Sequence, residues 1–161
     1  MVKKVISAGI IIFRRTRDGV KFLLLYHGHQ YWNFPKGKLE TEEHSRQAAI
    51  REVREETGLK STELRFINFK AYEKFTFKQR KEKIFKVVIL YLAETQKKNI
   101  IVSHEHGGYG WFLFKDAKQL LLRYKDNLKI LENANHILKK IAMTREKQVY
   151  HKRSINVVKK K

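Results

Sequence analysis

The chain has 161 residues and a formal net charge of +20, with 36 Lys and Arg against 16 Asp and Glu. It contains no cysteine, which excludes disulfides and thiolate metal sites and leaves the cytoplasm as the natural default. No run of about 18 apolar residues or secretory leader is present, so no membrane span is expected; the length suits one domain.

Residues 5–13, VISAGIIIF, are rich in β-branched side chains and predict a buried strand. Asp18-Gly19 is a turn signal, and residues 21–26, KFLLLY, predict the second strand of a hairpin. His27 and His29 follow; either could touch phosphate or base, although exposed loop histidines are common. The next loop, Trp32-Asn33-Phe34-Pro35-Lys36-Gly37-Lys38, holds the only proline. Pro35 restricts its own φ and pushes Phe34 toward an extended backbone, while Gly37 lets the chain approach a ligand closely.

Residues 44–57 predict a helix. Ala49, Ile50, Val53 and Thr57 form its buried stripe, and Gly58 suits its C-terminal cap. Extended segments follow at residues 64–69, 71–77 and 84–93, the last being the most hydrophobic, with a charged hairpin turn at 78–83. A short strand is expected at 110–114, then a helix capped by Asp116 and running to Leu122. A longer helix is expected over 127–142, with Leu128, Ile130, Leu131, Ala134, Ile137, Leu138 and Ile141 at helical spacing. Strands, helix, strands and helices in this order predict an α/β protein, a mixed sheet between helices.

The charge is concentrated at the end of the chain. Residues 139–161 carry nine Lys and Arg against Glu146 alone, giving +8 there and +12 elsewhere. A solubilising, partly flexible end and an RNA-binding arm both fit this composition. The expected division is a domain over 1–138 with a basic C-terminal extension over 139–161.

The chemistry lies in residues 37–59. Glu52, Glu55 and Glu56 fall at i, i+3 and i+4, so they project from one helix face, where like charges repel by roughly 0.2–0.5 kcal/mol per pair. A hard divalent cation would offset that, as would Arg51 and Arg54 on a solvated acidic face. The preceding loop decides between the two. Lys36 and Lys38 beside a carboxylate cluster suit a metal-bound polyphosphate.

Gly37, Glu43, Arg51, Glu52, Val53, Glu55, Glu56, Gly58 and Leu59 fill the nine defined positions of G-x5-E-x7-R-E-U-x-E-E-x-G-U, so the chain resembles the Nudix hydrolases. Glu42 departs from the glycine common there, at a free position. The resemblance implies an α/β/α sandwich and Mg²⁺, or Mn²⁺, held by Glu52, Glu55, Glu56 and the Gly37 carbonyl. Within that family, Val102 to Trp111 (VSHEHGGYGW) resembles the S-x-E-H-x-x-Y-x-W segment of the asymmetric dinucleoside tetraphosphate hydrolases. Lys86, Trp32 and Asn133-Ala134-Asn135 fit the same subfamily.

That resemblance implies cleavage of diadenosine tetraphosphate to ATP and AMP by water attack on phosphorus. Glu105 is then the first candidate for general base and Glu52 the second, with Arg51 orienting a glutamate such as Glu43. Lys36, Lys38 and Lys86 would meet phosphate oxygens. Tyr124 and Phe75 (or Phe77) would stack on a base, although each aromatic taken alone is more often core. Two alternatives are an RNA 5′-end pyrophosphohydrolase or decapping-type enzyme, and a non-catalytic nucleotide- or RNA-binding Nudix module. The expected partners are a polyphosphate nucleotide and RNA through the basic surface; no membrane is implied, and a monomer is favoured over an oligomer.

Overall fold

The strand on which the sheet is built is β1, Val2–Thr16. Its pleat sends Ala8, Ile10 and Ile12 to one face and Ile11 and Phe13 to the other, all fully buried. A strand apolar on both faces needs cover on both, and the computed structural model of the chain supplies it; residues 1–158 are described, with side chains through 156. The expectation for 159–161 lies outside the described residues.

A tight turn at Arg17-Asp18 returns the chain as β2, Gly19–Tyr26, with Thr16 paired to Gly19. The turn therefore sits one residue earlier than Asp18-Gly19. Two short strands follow, β3 (Trp32–Asn33) on β2 and β4 (Lys36–Lys38) on β1. Helix α1, Ser45–Thr57, comes next. His44 is its N-cap, and Gly58, at φ 74°, closes it in the left-handed conformation that glycine tolerates.

After a 3-10 turn at Ser61–Glu63, a long hairpin forms from β5 (Arg65–Gln79) and β6 (Glu82–Glu94). The two expected segments at 64–69 and 71–77 are one strand, interrupted by a bulge between Ile67 and Lys70. Strand β6 runs parallel to β1, and β7 (Gly108–Leu113) is antiparallel to β2. The sheet order is β3-β2-β1-β6-β5, with β4 also on β1 and β7 also on β2.

Helix α1 covers one face through Ala48, Ala49 and Val53. The other face is covered by α2 (Phe114–Leu120) and α3 (Lys125–Val158), through Ala117, Ile130, Leu131, Ala134 and Leu138. This is the expected α/β/α sandwich around a mixed sheet. Two local expectations change. Leu113, not Asp116, is the N-cap of α2, with Asp116 in the first turn. Helix α3 does not stop near Ala142; it continues to Val158. Among the described residues no helix is long and apolar enough to cross a membrane.

Candidate active site

The three residues of β4 organise the site. Pairing of Ser7 with Lys38, Ala8 with Gly37 and Gly9 with Lys36 fixes which way each side chain points. Gly37 faces α1, and a Cβ there would overlap the Glu52 carboxylate. Lys36 and Lys38 point to the opposite face. Gly9, in the middle of a β-branched strand, is what lets β4 come so close: a Cβ there would overlap the Pro35 carbonyl oxygen and the Lys36 side chain.

On the α1 side, one guanidinium ties the acids together. Arg51 Nε and Nη2 donate to the two oxygens of Glu43 at 2.8 and 3.0 Å. Its Nη1 donates to Glu52 at 3.0 Å and to Glu55 at 3.2 Å, and Nη2 reaches the Lys38 carbonyl at 2.9 Å. Arg51 thus ties Glu43 to the acidic face of α1. The hydrogen bonds from Arg51 hold the Glu43 carboxyl below the usual range and raise the guanidinium. Burial raises the Glu52 carboxyl against the pull of Arg51.

Glu56 is the most buried of the acids. Its carboxylate accepts the Lys36 backbone N–H at 3.1 Å, and burial pushes its pKa up to about 7, with Glu52 and Glu105 adding to the rise. Among the described residues, no three Asp, Glu or His side chains converge as a ready metal cage. The donor chemistry nevertheless fits a hard divalent cation: three carboxylates on one helix face, against a glycine backbone that leaves room only because it lacks a Cβ.

The connection from β6 to β7 is docked on the end of α1. Ile101 N–H donates to the Thr57 carbonyl at 3.0 Å, Ser103 N–H to the Glu56 carbonyl at 3.3 Å, and Gly107 N–H to the Tyr26 carbonyl at 2.8 Å. Within it a turn links His106 N–H to the Ser103 carbonyl at 3.1 Å. Glu105 is exposed on this turn, close enough for its charge to raise Glu56. His106 points inward, with Nδ1 3.1 Å from Ser103 Oγ and Nε2 3.8 Å from Glu56.

On the opposite face Lys36, Lys38 and Lys86 gather. Burial lowers the Lys36 ammonium, and Lys86 lowers it further; burial and Lys38 do the same to Lys86. Glu73 sits among them, its own carboxyl raised by burial and pulled back by Lys36 and Lys86. Phe75 lies directly opposite Lys86 in the β5–β6 ladder and packs on Phe77 at 5.9 Å. Tyr124 lines a separate cleft of about 560 Å³ with Tyr26, Gln30, Trp32, Leu120 and Arg123. Phe75 and Tyr124 therefore stand on one face of the sheet, yet they are not stacked on each other.

His27, which the sequence offered with His29 as a possible phosphate or base contact, is a partner of the site. It is not an exposed loop residue: Nε2 is buried with no hydrogen-bond partner, and burial lowers its pKa to about 4, helped by His106 and Lys36. Its ring lies 4.5 Å from His106 and 4.9 Å from Tyr31, whose ring in turn lies 4.9 Å from Tyr124. Ring contacts thus run from beside Glu56 to the Tyr124 cleft. Asn127, at the start of α3, donates to Asn33 at 3.1 Å and Asn33 accepts from Phe34 N–H at 2.7 Å, so α3 also helps to hold the loop before β4.

Comparison with known proteins agrees with this geometry. The NUDIX domain family model matches residues 3–134. The chain is 32% identical over 143 residues to the bis(5′-nucleosyl)-tetraphosphatase [asymmetrical] of Mus musculus, covering 82% of this chain and 94% of that protein. Similarity to the same protein of Sus scrofa is 33% over 149 residues, with the same coverage. The crystal structure of a C. elegans Ap4A hydrolase binary complex superposes with a TM-score of 0.73 at 27% identity, covering 84% of this chain and 98% of that one. With the family match spanning most of the chain, and the strand, helix and loop of the site arranged as described, this protein belongs to the Nudix hydrolases.

Proposed function

We propose that the chain is a Mg²⁺-dependent hydrolase of dinucleoside polyphosphates that splits diadenosine tetraphosphate into ATP and AMP. The observation that carries the reading is the divided output of β4, with lysines on one face and a glycine against a carboxylate on the other. Such an arrangement suits a substrate whose phosphates need cations on one side and metal on the other. Glu52, Glu55, Glu56 and the Gly37 carbonyl would hold the Mg²⁺, or Mn²⁺, which when bound neutralises phosphate charge and lowers the pKa of a bound water.

The chain's own groups supply the rest. Lys36, Lys38 and Lys86 bind the phosphate oxygens; burial lowers the Lys36 and Lys86 ammoniums and a neighbouring lysine lowers each further, and an entering anion opposes both effects. Glu105, exposed beside Glu56, takes the proton of the attacking water, and Glu52 is the second candidate for that role. Arg51 is a positioning residue, holding Glu43 and Glu52 at once. Tyr124 and Phe75 offer faces to the bases. Relatives named as asymmetrical tetraphosphatases support the choice of substrate.

The test is chromatographic analysis of diadenosine tetraphosphate incubated with protein and Mg²⁺, in parallel with EDTA and with 5′-triphosphorylated RNA. Metal-dependent ATP and AMP is the expected result. Two ADP, or pyrophosphate released from RNA with the dinucleotide untouched, would overturn the reading.

A further inference from the structure

Helix α3 has two halves with different physics. Its first half packs Ile130, Leu131, Ala134 and Leu138 into the core. From residue 143 to 156 every side chain is exposed, so the helix overhangs the domain by roughly 20 Å. An exposed helix in water is held by its own propensity and by i,i+4 pairs, and here those pairs are missing. Among the described residues, Lys139, Lys140, Arg145, Lys147, Lys152 and Arg153 make no ion pair with a carboxylate. Glu146 is the single acid in 139–161.

The arrangement of the charges says what could cover them. Lys140 and Lys147 are seven residues apart and share one side of the helix, as do Arg145 and Lys152 on another; Lys139 and Arg153 lie between. Positive charge therefore surrounds the axis. The exposed apolar residues do not form a face: Met143 and Tyr150 share one side, Val149 lies about 100° away and Ile155 is nearly opposite Tyr150. A bilayer needs one continuous apolar face, and this helix has none. A flexible polyanion that wraps a cylinder has no such requirement, and Tyr150 with His151 offers ring faces to unpaired bases midway along the overhang.

We propose that the overhanging half of α3 is a binding arm for single-stranded nucleic acid, engaged through backbone phosphates by Arg145, Lys147, Lys152 and Arg153, with Lys140 at its root, and through base stacking by Tyr150. The arm lies beyond the family match, which ends at residue 134. The mouse relative is covered over 94% of its length by 82% of this chain. It is therefore an addition to the hydrolase domain, and its activity is separable from turnover.

The experiment compares the full chain with a full-length variant carrying Arg145→Gln, Lys147→Gln, Lys152→Gln and Arg153→Gln. Glutamine is a good helix former, so helicity measured by circular dichroism should be unchanged. Fluorescence anisotropy with a labelled 20-nucleotide RNA and the DNA of the same sequence is run across a salt series. Wild type should bind with a steep salt dependence; the variant should lose about a hundredfold at 0.1 M salt, and its log–log slope should shrink by about 3. A Tyr150→Ala variant should weaken binding roughly tenfold with the slope unchanged. RNA bound more tightly than DNA, or the reverse, identifies the source of the strand. Equal affinity and slope in wild type and quadruple variant overturns the proposal, as does the absence of binding at low salt. Binding to phosphatidylserine vesicles without binding to either strand also overturns it, in favour of a membrane. Turnover of diadenosine tetraphosphate by the quadruple variant should equal that of wild type.

Discussion

The acidic cluster of α1 and the basic overhang of α3 carry charge in opposite ways. In α1 a single guanidinium meets Glu43, Glu52 and Glu55, and Glu56 is held by a backbone N–H, so the repulsion among the acids is answered locally. In the overhang no carboxylate among the described residues pairs with the lysines and arginines. The first region is a site whose geometry is paid for by packing on both sides; the second is a surface whose geometry costs the domain little. Substitutions should therefore have large effects in α1 and small ones in the overhang, unless a polyanion is present.

The largest expected effect comes from Glu56→Gln. Turnover with Mg²⁺ should fall roughly a thousandfold, equivalent to about 4 kcal/mol of transition-state stabilisation. Unchanged steady-state kinetics would remove Glu56 from the chemistry altogether. Gly37→Ala comes next. The added methyl overlaps the mobile end of the Glu52 side chain rather than backbone, so the carboxylate should move while the fold holds. A fall of about 100-fold in kcat with a nearly unchanged Tm is expected; a large loss of Tm instead would mean that Gly37 serves the fold.

A smaller effect separates two buried groups by the sign of their pH dependence, with thermal melts in EDTA as the readout. Glu56 has a native pKa raised to about 7, so the stability it contributes is present below its unfolded value and is lost as pH rises through 7. The contribution is on the order of 3 kcal/mol. His27 has a native pKa lowered to about 4, so its contribution is present above the usual histidine value and is lost as pH falls through 4. The two slopes oppose each other between about pH 4.5 and 6.5. Glu56→Gln should unmask stability that rises with pH, and His27→Phe stability that falls. Parallel slopes in the two variants would refute the assignment. The smallest effect belongs to the overhang: Lys147→Ala should alter stability by less than about 0.5 kcal/mol and leave turnover alone.

Much of this site is legible along the chain. The helix from Ser45 to Thr57 and its Gly58 cap follow from local periodicity and from a residue type that tolerates positive φ. The grouping of Glu52, Glu55 and Glu56 follows from helical spacing, and the Lys36-Gly37-Lys38 pattern follows from strand alternation once β4 is known to be a strand. Gly9 was not singled out along the chain, although a glycine within a β-branched run is a mark of close backbone approach; its neighbour Pro35 is supplied by a distant loop. Glu73 carried no local signal, and His27 only the weak one of a loop histidine beside the site. One is an acid in an alternating strand and the other a histidine after a strand; their importance comes from Lys36, Lys86 and His106, which arrive from other elements.

What the amino-acid sequence determined by itself is therefore the set of elements and the reactive groups that one helix or one strand can present. Those properties depend on spacings of three, four or two residues, and short-range sterics settle them. Tertiary structure alone decided which groups share a site. Parallel pairing of β6 with β1 carries Lys86 toward Lys36, and docking of the β6–β7 connection on α1 sets His106 beside Glu56. It also decided where α3 leaves the core, because burial ends after Ala142 while the helix continues to Val158.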